Sequence, residues 1–277
     1  MSVDKLPTVS APPPPLLGIA TADPQVVEAA DEAGLDLAVI EDDGELDATL
    51  LAARLAVRTR RIGLLPVAST TATEPFLVSV AIATLDFVSQ GRAGWVAEVA
   101  ASREDAAAHV TWEVPADLIG DAREHVEAVR RLWDSWEDGA EIRDAATDRF
   151  IDRERLHHIN YAGRYLSVRG PSITPRPPQG QPVVAVRDPA LGAGADVLLT
   201  RDAGRPAPGL LHLVEIDAPG DTVPGAADGL LLRAGDPDAV AALAALRGAA
   251  PPPPAATLRE RLGLPPAVNR YTKVPAP

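Results

Sequence analysis

Three short runs in this 277-residue sequence carry residue types that do chemistry. The first is Glu41-Asp42-Asp43, directly after the apolar run Leu37–Ile40. A carboxylate at the C-terminal end of a buried strand stands where α/β barrels place their sites, and Asp42 is the candidate of the three. The competing reading is a solvated loop carboxylate or a helix cap. The second run is Ser69-Thr70-Thr71, after the predicted strand Ile62–Leu65. Small hydroxyls at a strand's C-terminal edge bond a ligand or cap the next helix. The third is His157-His158, but no HxxxH pair with a carboxylate stands at metal-ligand spacing, so no metal is assigned. His109, His125 and His212 are isolated and read as structural or partly exposed. GxSxG, P-loop and GxGxxG patterns are missing, so acyl transfer, NTP hydrolysis and a Rossmann dinucleotide site lack support.

The elements that must position these residues alternate. Leu16–Ala20, Leu37–Ile40, Ile62–Leu65 and Gly94–Val99 read as buried strands. Between them, Asp23-Pro24 opens a helix to about Ala33, Leu46–Val57 has helical composition, and Thr73-Glu74-Pro75 opens a helix over Glu74–Gln90. Strand–helix alternation implies parallel pairing with right-handed crossovers, hence an α/β fold. The next predicted helix, Asp121–Glu137, places Val126, Val129, Trp133 and Trp136 on one face, with both tryptophans toward the core. Residues 138–181 are polar and then Pro-rich, a structured excursion over the barrel. Four further strands are predicted at Val183–Val186, Asp196–Thr200, Leu210–Ile216 and Gly229–Leu232. The gaps between them are short and rich in Gly and Pro; only Pro237–Arg247 is convincingly helical. The expectation is a single closed (β/α)8 barrel over residues 16–250, with outer helices reduced in the second half and one flank left bare. A Pro-rich lead-in (1–15) and a Pro-rich linker and tail (251–277) flank it.

Composition sets outer bounds. Apolar residues make up 46%, as a packed globular protein requires. A net charge of −13 argues against nucleic-acid binding, which needs a basic face. The chain has no cysteine, which excludes disulfides and thiolate chemistry. No signal-peptide pattern and no bilayer-length apolar run is seen, so no membrane partner is expected and the cytoplasm is the default compartment. The helices Leu46–Val57 and Glu74–Gln90 carry more apolar residues than one buried face needs, notably Phe76, Leu77, Val80 and Ile82. A dimer is expected through one or both.

The stretch Thr84–Trp95, TLDFVSQGRAGW, resembles a signature of the luciferase-like flavin monooxygenases, in the branch of the nitrilotriacetate and dibenzothiophene-sulfone enzymes. Val129–Asp138 (VRRLWDSWED), Tyr161–Pro182 (YAGRYLSVRGPSITPRPPQGQP) and Thr257–Tyr271 (TLRERLGLPPAVNRY) resemble the same branch in the same order. The resemblance implies a TIM-type barrel and flavin mononucleotide (FMN) as cofactor. It further implies a separate flavin reductase as partner, and pairing through helices of the first half. It puts Asp42 at the flavin and brings Ser69 and Thr70 into the flavin segment, with capping as the plainer role for the hydroxyls.

The departures from the pattern bear on activity. Val96 stands where the branch has Asn after GRAGW. Pro115 and Ile119 stand at the places of a His and a Tyr that contact FMN, and Asp188 stands near that of a phosphate-binding serine. His157 keeps one histidine of a longer family run whose later histidine is Tyr161 here. Two expectations follow: a flavin monooxygenase whose FMN binding is weak or lost, or a non-catalytic subunit paired with itself or with a full-length relative.

Overall fold

A computed structural model describes residues 14–204, 208–219, 227–247 and 257–272. The lead-in up to residue 13 and the proline run 251–254 lie outside the described residues. Eight parallel strands close one barrel. Its first half is β1 (Leu16–Thr21), β2 (Leu37–Ile40), β3 (Gly63–Ser69) and β4 (Gly94–Glu98). The excursion then contributes β5 (Glu141–Asp144), β6 (Arg149–Ile151), β7 (Tyr161–Ala162) and β8 (Ser167–Val168), which stay outside the barrel. The second half is β9 (Val183–Val186), β10 (Val197–Thr200), β11 (Leu211–Ile216) and β12 (Gly229–Arg233), and β12 pairs with β1 to seal the circle. The barrel expected from alternation is therefore the observed one, with β1 and β12 each one residue longer than expected and β3 four residues longer at its end. β3 continues through Pro66, a single missing donor, because its ladder passes to β4 beyond that point. Ser69 is thereby a strand residue.

Outside the barrel lie α1 (Pro24–Glu32), α2 (Ala48–Ala56), α3 (Pro75–Val88), the short α4 (Arg103–Ala107), α5 (Leu118–Asp134), α6 (Pro237–Ala245) and α7 (Leu258–Arg261). Asp23 caps α1 by accepting from Gln25 N, as its Asp-Pro start predicts. α5 starts and stops three residues earlier than its periodicity suggests, because Asp117 supplies the cap. Trp136 consequently lies past the helix, bridged to Leu156. Both tryptophans are buried. Trp133 Nε1 donates to Ser79 O at 3.0 Å, pinning α5 to α3, and Trp136 Nε1 donates to Ser172 O at 2.9 Å.

The signature TLDFVSQGRAGW is a structural device. After α3 the chain reverses through Gln90 and Gly91, both at positive φ. Arg92 then turns inward and donates to the carbonyls of Ala56, Thr59, Ile62 and Ser89. One guanidinium thus satisfies orphan carbonyls behind α2 and ties them to the entry of β4. Asp86 is fully buried and accepts from Ala93 N, Gln179 N and Gln179 Nε2. Burial pushes Asp86 up to about 6, against those N–H donors that pull it down.

Two apolar layers share the barrel strands. The outer one joins strands to helices; the inner one fills the barrel with Leu37, Val39, Leu65, Val67, Val96, Leu213 and their neighbours. The C-terminal segment reaches this inner layer, since Leu258 and Leu262 of the α7 turn pack among the barrel leucines. Gly63 makes the room: a Cβ there would lie 2.5 Å from Leu258 Cδ1. α7 therefore stops the barrel at the end where its strands begin. Asn269 carries the tail onward to α5 by donating to the carbonyls of Asp134 and Trp136.

The second-half flank is not bare, contrary to the expectation from its short connections. The outward side chains Leu198, Val214, Leu230 and Leu232 are buried. Leu191, from the short 3₁₀ turn Pro189–Leu191, packs there, with Ala203, Leu210 and Ala227 against the same layer. The excursion forms two antiparallel pairs, β5 with β6 and β7 with β8. It runs along α5. Glu124 accepts from the backbone N–H of Arg164, Tyr165 and Leu166, and Tyr165 Oη donates to Asp117 at the start of α5.

Candidate functional site

Barrel enzymes work at the C-terminal ends of their strands, so the side chains pointing inward there form the candidate site. Alternation identifies them, because the side-chain period of a strand is two. Counting two residues on from the inward apolar positions gives Ser69 after Val67 and Arg201 after Leu199, and then Glu41 after Val39, Glu98 after Val96, Arg187 after Ala185, Glu215 after Leu213 and Arg233 after Leu231. Arg201 pairs apart, with Asp217 at 2.7 Å. The other five charged residues stand at the mouth and meet there. Arg187 sits at the centre, paired with Glu41 through Nη2, with Glu98 through Nη1 at 3.2 Å and with Glu215 through Nε at 3.1 Å. Arg233 stands farther off, 3.6 Å from Glu215 and 3.7 Å from Glu41. Three carboxylates and two guanidiniums leave one net negative charge.

The lattice is half-sunk in the barrel. The Glu215 side chain is only 7% exposed, Arg187 27% and Glu98 48%. Burial alone would lower the Arg187 pKa; Glu41 and Glu215 outweigh it and hold the guanidinium above its ordinary range. Each nitrogen of that planar fork has a carboxylate partner, the arrangement in which arginine binds most strongly.

The residues singled out in the sequence stand around this cluster. Asp42 is exposed and accepts from Gly44 N at 2.8 Å, closing its own turn. Its neighbour Glu41 is the one that points inward. Ser69 Oγ accepts from Thr71 N and Ala72 N, and Thr70 Oγ1 donates to Glu98 O at 2.9 Å. Asp188 accepts from Ala190 N at 2.8 Å and caps the following 3₁₀ turn. Ile119 packs on the outer apolar layer, and Pro115 is partly buried. His157 lies elsewhere, bonded through Nε2 to Glu137 at 2.6 Å and stacked on Tyr271. Among the described residues no group of three or more His, Asp or Glu could hold a metal.

Sequence reasoning missed Glu98, Glu215 and Arg233 altogether and passed over Glu41 for Asp42. The signal was present in the strand period. His125 was set aside as isolated, and its surroundings are specific. It is 1% exposed, 5.8 Å from the Trp95 ring and hydrogen-bonded to the Thr70 backbone, while its Nε2 has no partner. Burial depresses its pKa to about 3, so the ring is neutral at physiological pH.

Comparison with known proteins gives this geometry a context. Residues 20–213 match the model of the family described as luciferase-like monooxygenase. The chain is 36% identical to one of the subunits of pristinamycin IIA synthase from Streptomyces pristinaespiralis over 256 residues, covering 87% of each chain. It is 43% identical to nitrilotriacetate monooxygenase component A of Aminobacter aminovorans over 141 residues, 49% of this chain but 30% of that one. Among solved structures, EDTA monooxygenase from Chelativorans sp. BNC1 superposes with a TM-score of 0.71 at 18% identity, over 91% of this chain and 99% of that one. The chain thus spans nearly all of one relative and under a third of another. Signature, barrel and family match agree, and the chain belongs to the luciferase-like monooxygenase family.

Proposed function

We propose that this chain is a partner subunit of a luciferase-like flavin monooxygenase, holding no FMN in its own barrel. The observation that carries the reading is the Arg187 lattice, which takes the inward positions at the mouth for ion pairs within the chain. As built, these residues do not fit FMN. Its phosphate is a near-dianion, while the surroundings add Asp42, Asp43 and Asp188 to a cluster that is already net negative. Two unit charges of like sign about 4 Å apart repel by on the order of 4 kcal/mol at an effective dielectric near 20. Ser69 spends its hydroxyl on its own turn, and Thr70 donates its hydroxyl to the Glu98 carbonyl at the end of β4. The match in length to a protein named as one subunit of a synthase supports the same reading.

The partner surface is the face of α2 and α3. Leu50, Val57, Leu77, Phe87 and Val88 are exposed there, and α2 packs beside α3. Ile82, counted as surplus in the sequence, belongs to the core instead, whereas Leu77 is 60% exposed. The occupant is a second luciferase-like chain, a copy of this one or a full-length relative served by a flavin reductase. A stable pairing of this kind buries over about 1,000 Å².

Titration of the purified chain with oxidised and reduced FMN tests the reading. We expect no saturable binding below about 100 μM, a free energy weaker than about −5.5 kcal/mol. A dissociation constant at or below the micromolar range would restore a complete monooxygenase using reduced FMN and oxygen.

A further inference from the structure

We propose that the barrel mouth is a guanidinium socket, and that Arg187 is its built-in occupant. Glu41, Glu98 and Glu215 arrive from three separate strands and converge on one planar cation, which pairs through Nη2, Nη1 and Nε. Such a set of carboxylates is a receptor for an alkylguanidinium, an arginine side chain being the biological form. The socket selects charge of the sign opposite to a flavin phosphate. Arg233 approaches two of the same carboxylates no closer than 3.6 Å and is 43% exposed, so it screens the socket without filling it. With Arg187 withdrawn, the deeply set Glu215 and the half-buried Glu41 keep Arg233 and, for Glu215, the more distant field of Arg201, which is itself paired with Asp217. The protein would then take up a cation from solution. This rests on the reading that the mouth is not a flavin site, and it goes further by naming what the mouth recognises.

The test uses the full chain carrying Arg187→Ala. Its melting midpoint should fall by roughly 5–10 °C, since one partner of a partly buried pair has gone. Methylguanidinium chloride at about 10–50 mM, a range set for a weak millimolar complex, should restore several degrees. Sodium chloride at equal concentration should not, and the wild-type chain should show no such difference. Calorimetric titration of R187A with methylguanidinium should show saturable binding, lost when Glu215→Gln is added. A variant melting with the wild type, or answering equally to both salts, would overturn the socket. If R187A is recovered folded only when methylguanidinium is present during refolding, the proposal stands. If it refolds under neither condition, Arg187→Lys decides. Lysine lacks the planar fork, so R187K should melt below the wild type, and an unchanged midpoint would overturn the proposal. Wild-type chain binding FMN while R187A still answers to methylguanidinium would overturn the partner-subunit reading alone.

Discussion

His125 couples a single residue to the pH stability of the whole fold. Its native pKa of about 3 lies below the ordinary value of 6.5, so the unfolded chain binds the extra proton first. Stability is full above pH 6.5 and falls as the pH drops toward 3. At pH 5 this loss amounts to about 2 kcal/mol. The variant His125→Phe keeps the ring against Trp95, discards the unpartnered Nε2 and has no proton to take up. Urea denaturation at pH 7.5 and pH 5 should show the variant gaining on the wild type by about 2 kcal/mol over that interval. Equal slopes with pH would mean that His125 titrates normally. Glu41 and Asp42 give a second lesson at this scale. They are adjacent in sequence and opposite in role, because Glu41 continues the inward register of β2 whereas Asp42 turns away to close its own loop.

At the scale of elements, the signature segment ties α2 and α3 to the barrel, and the C-terminal turn fills the end where its strands begin. Arg92 answers four carbonyls behind α2 and α3. Arg92→Met would leave buried acceptors unpaired, and we expect a loss of about 3 kcal/mol or more in urea unfolding. A loss under 1 kcal/mol would show that water replaces the guanidinium. Leu258 fills the barrel from the end opposite the mouth, against Gly63. Leu258→Ala should cost about 2–5 kcal/mol, the range for a buried leucine that leaves a cavity. Because Leu258 and the Arg187 lattice lie at opposite ends of the barrel, a double variant should lose the sum of the two single effects.

At the scale of the whole molecule, the chain combines a closed barrel, a charged mouth and an apolar flank on α2 and α3. No helix among the described residues is long and apolar enough to cross a membrane. Leu77→Glu with Val88→Glu places two charges on the apolar flank without touching the core. Sedimentation at micromolar concentration should show the wild type associated and the double variant monomeric, both with the same circular dichroism. A wild type that sediments as a monomer when alone, and pairs only when mixed with a full-length relative, would assign the flank to a heterodimer.

The eight strands, their parallel order and the buried tryptophans were legible in the sequence, because alternation and apolar runs are local properties written residue by residue. The charged mouth was half legible. Period-two counting from Val39, Val96, Ala185, Leu199, Leu213 and Leu231 places six charges at the mouth, but says nothing of which ones meet. That decision belongs to the closed barrel, which brings Arg187 to Glu41 across 146 residues of sequence. The same holds for Leu258, whose place inside the barrel depends on a glycine 195 positions earlier, Gly63, and on a closure that joins β12 to β1. Local pattern determines which face a side chain takes; only the closed circle of strands determines what it finds there.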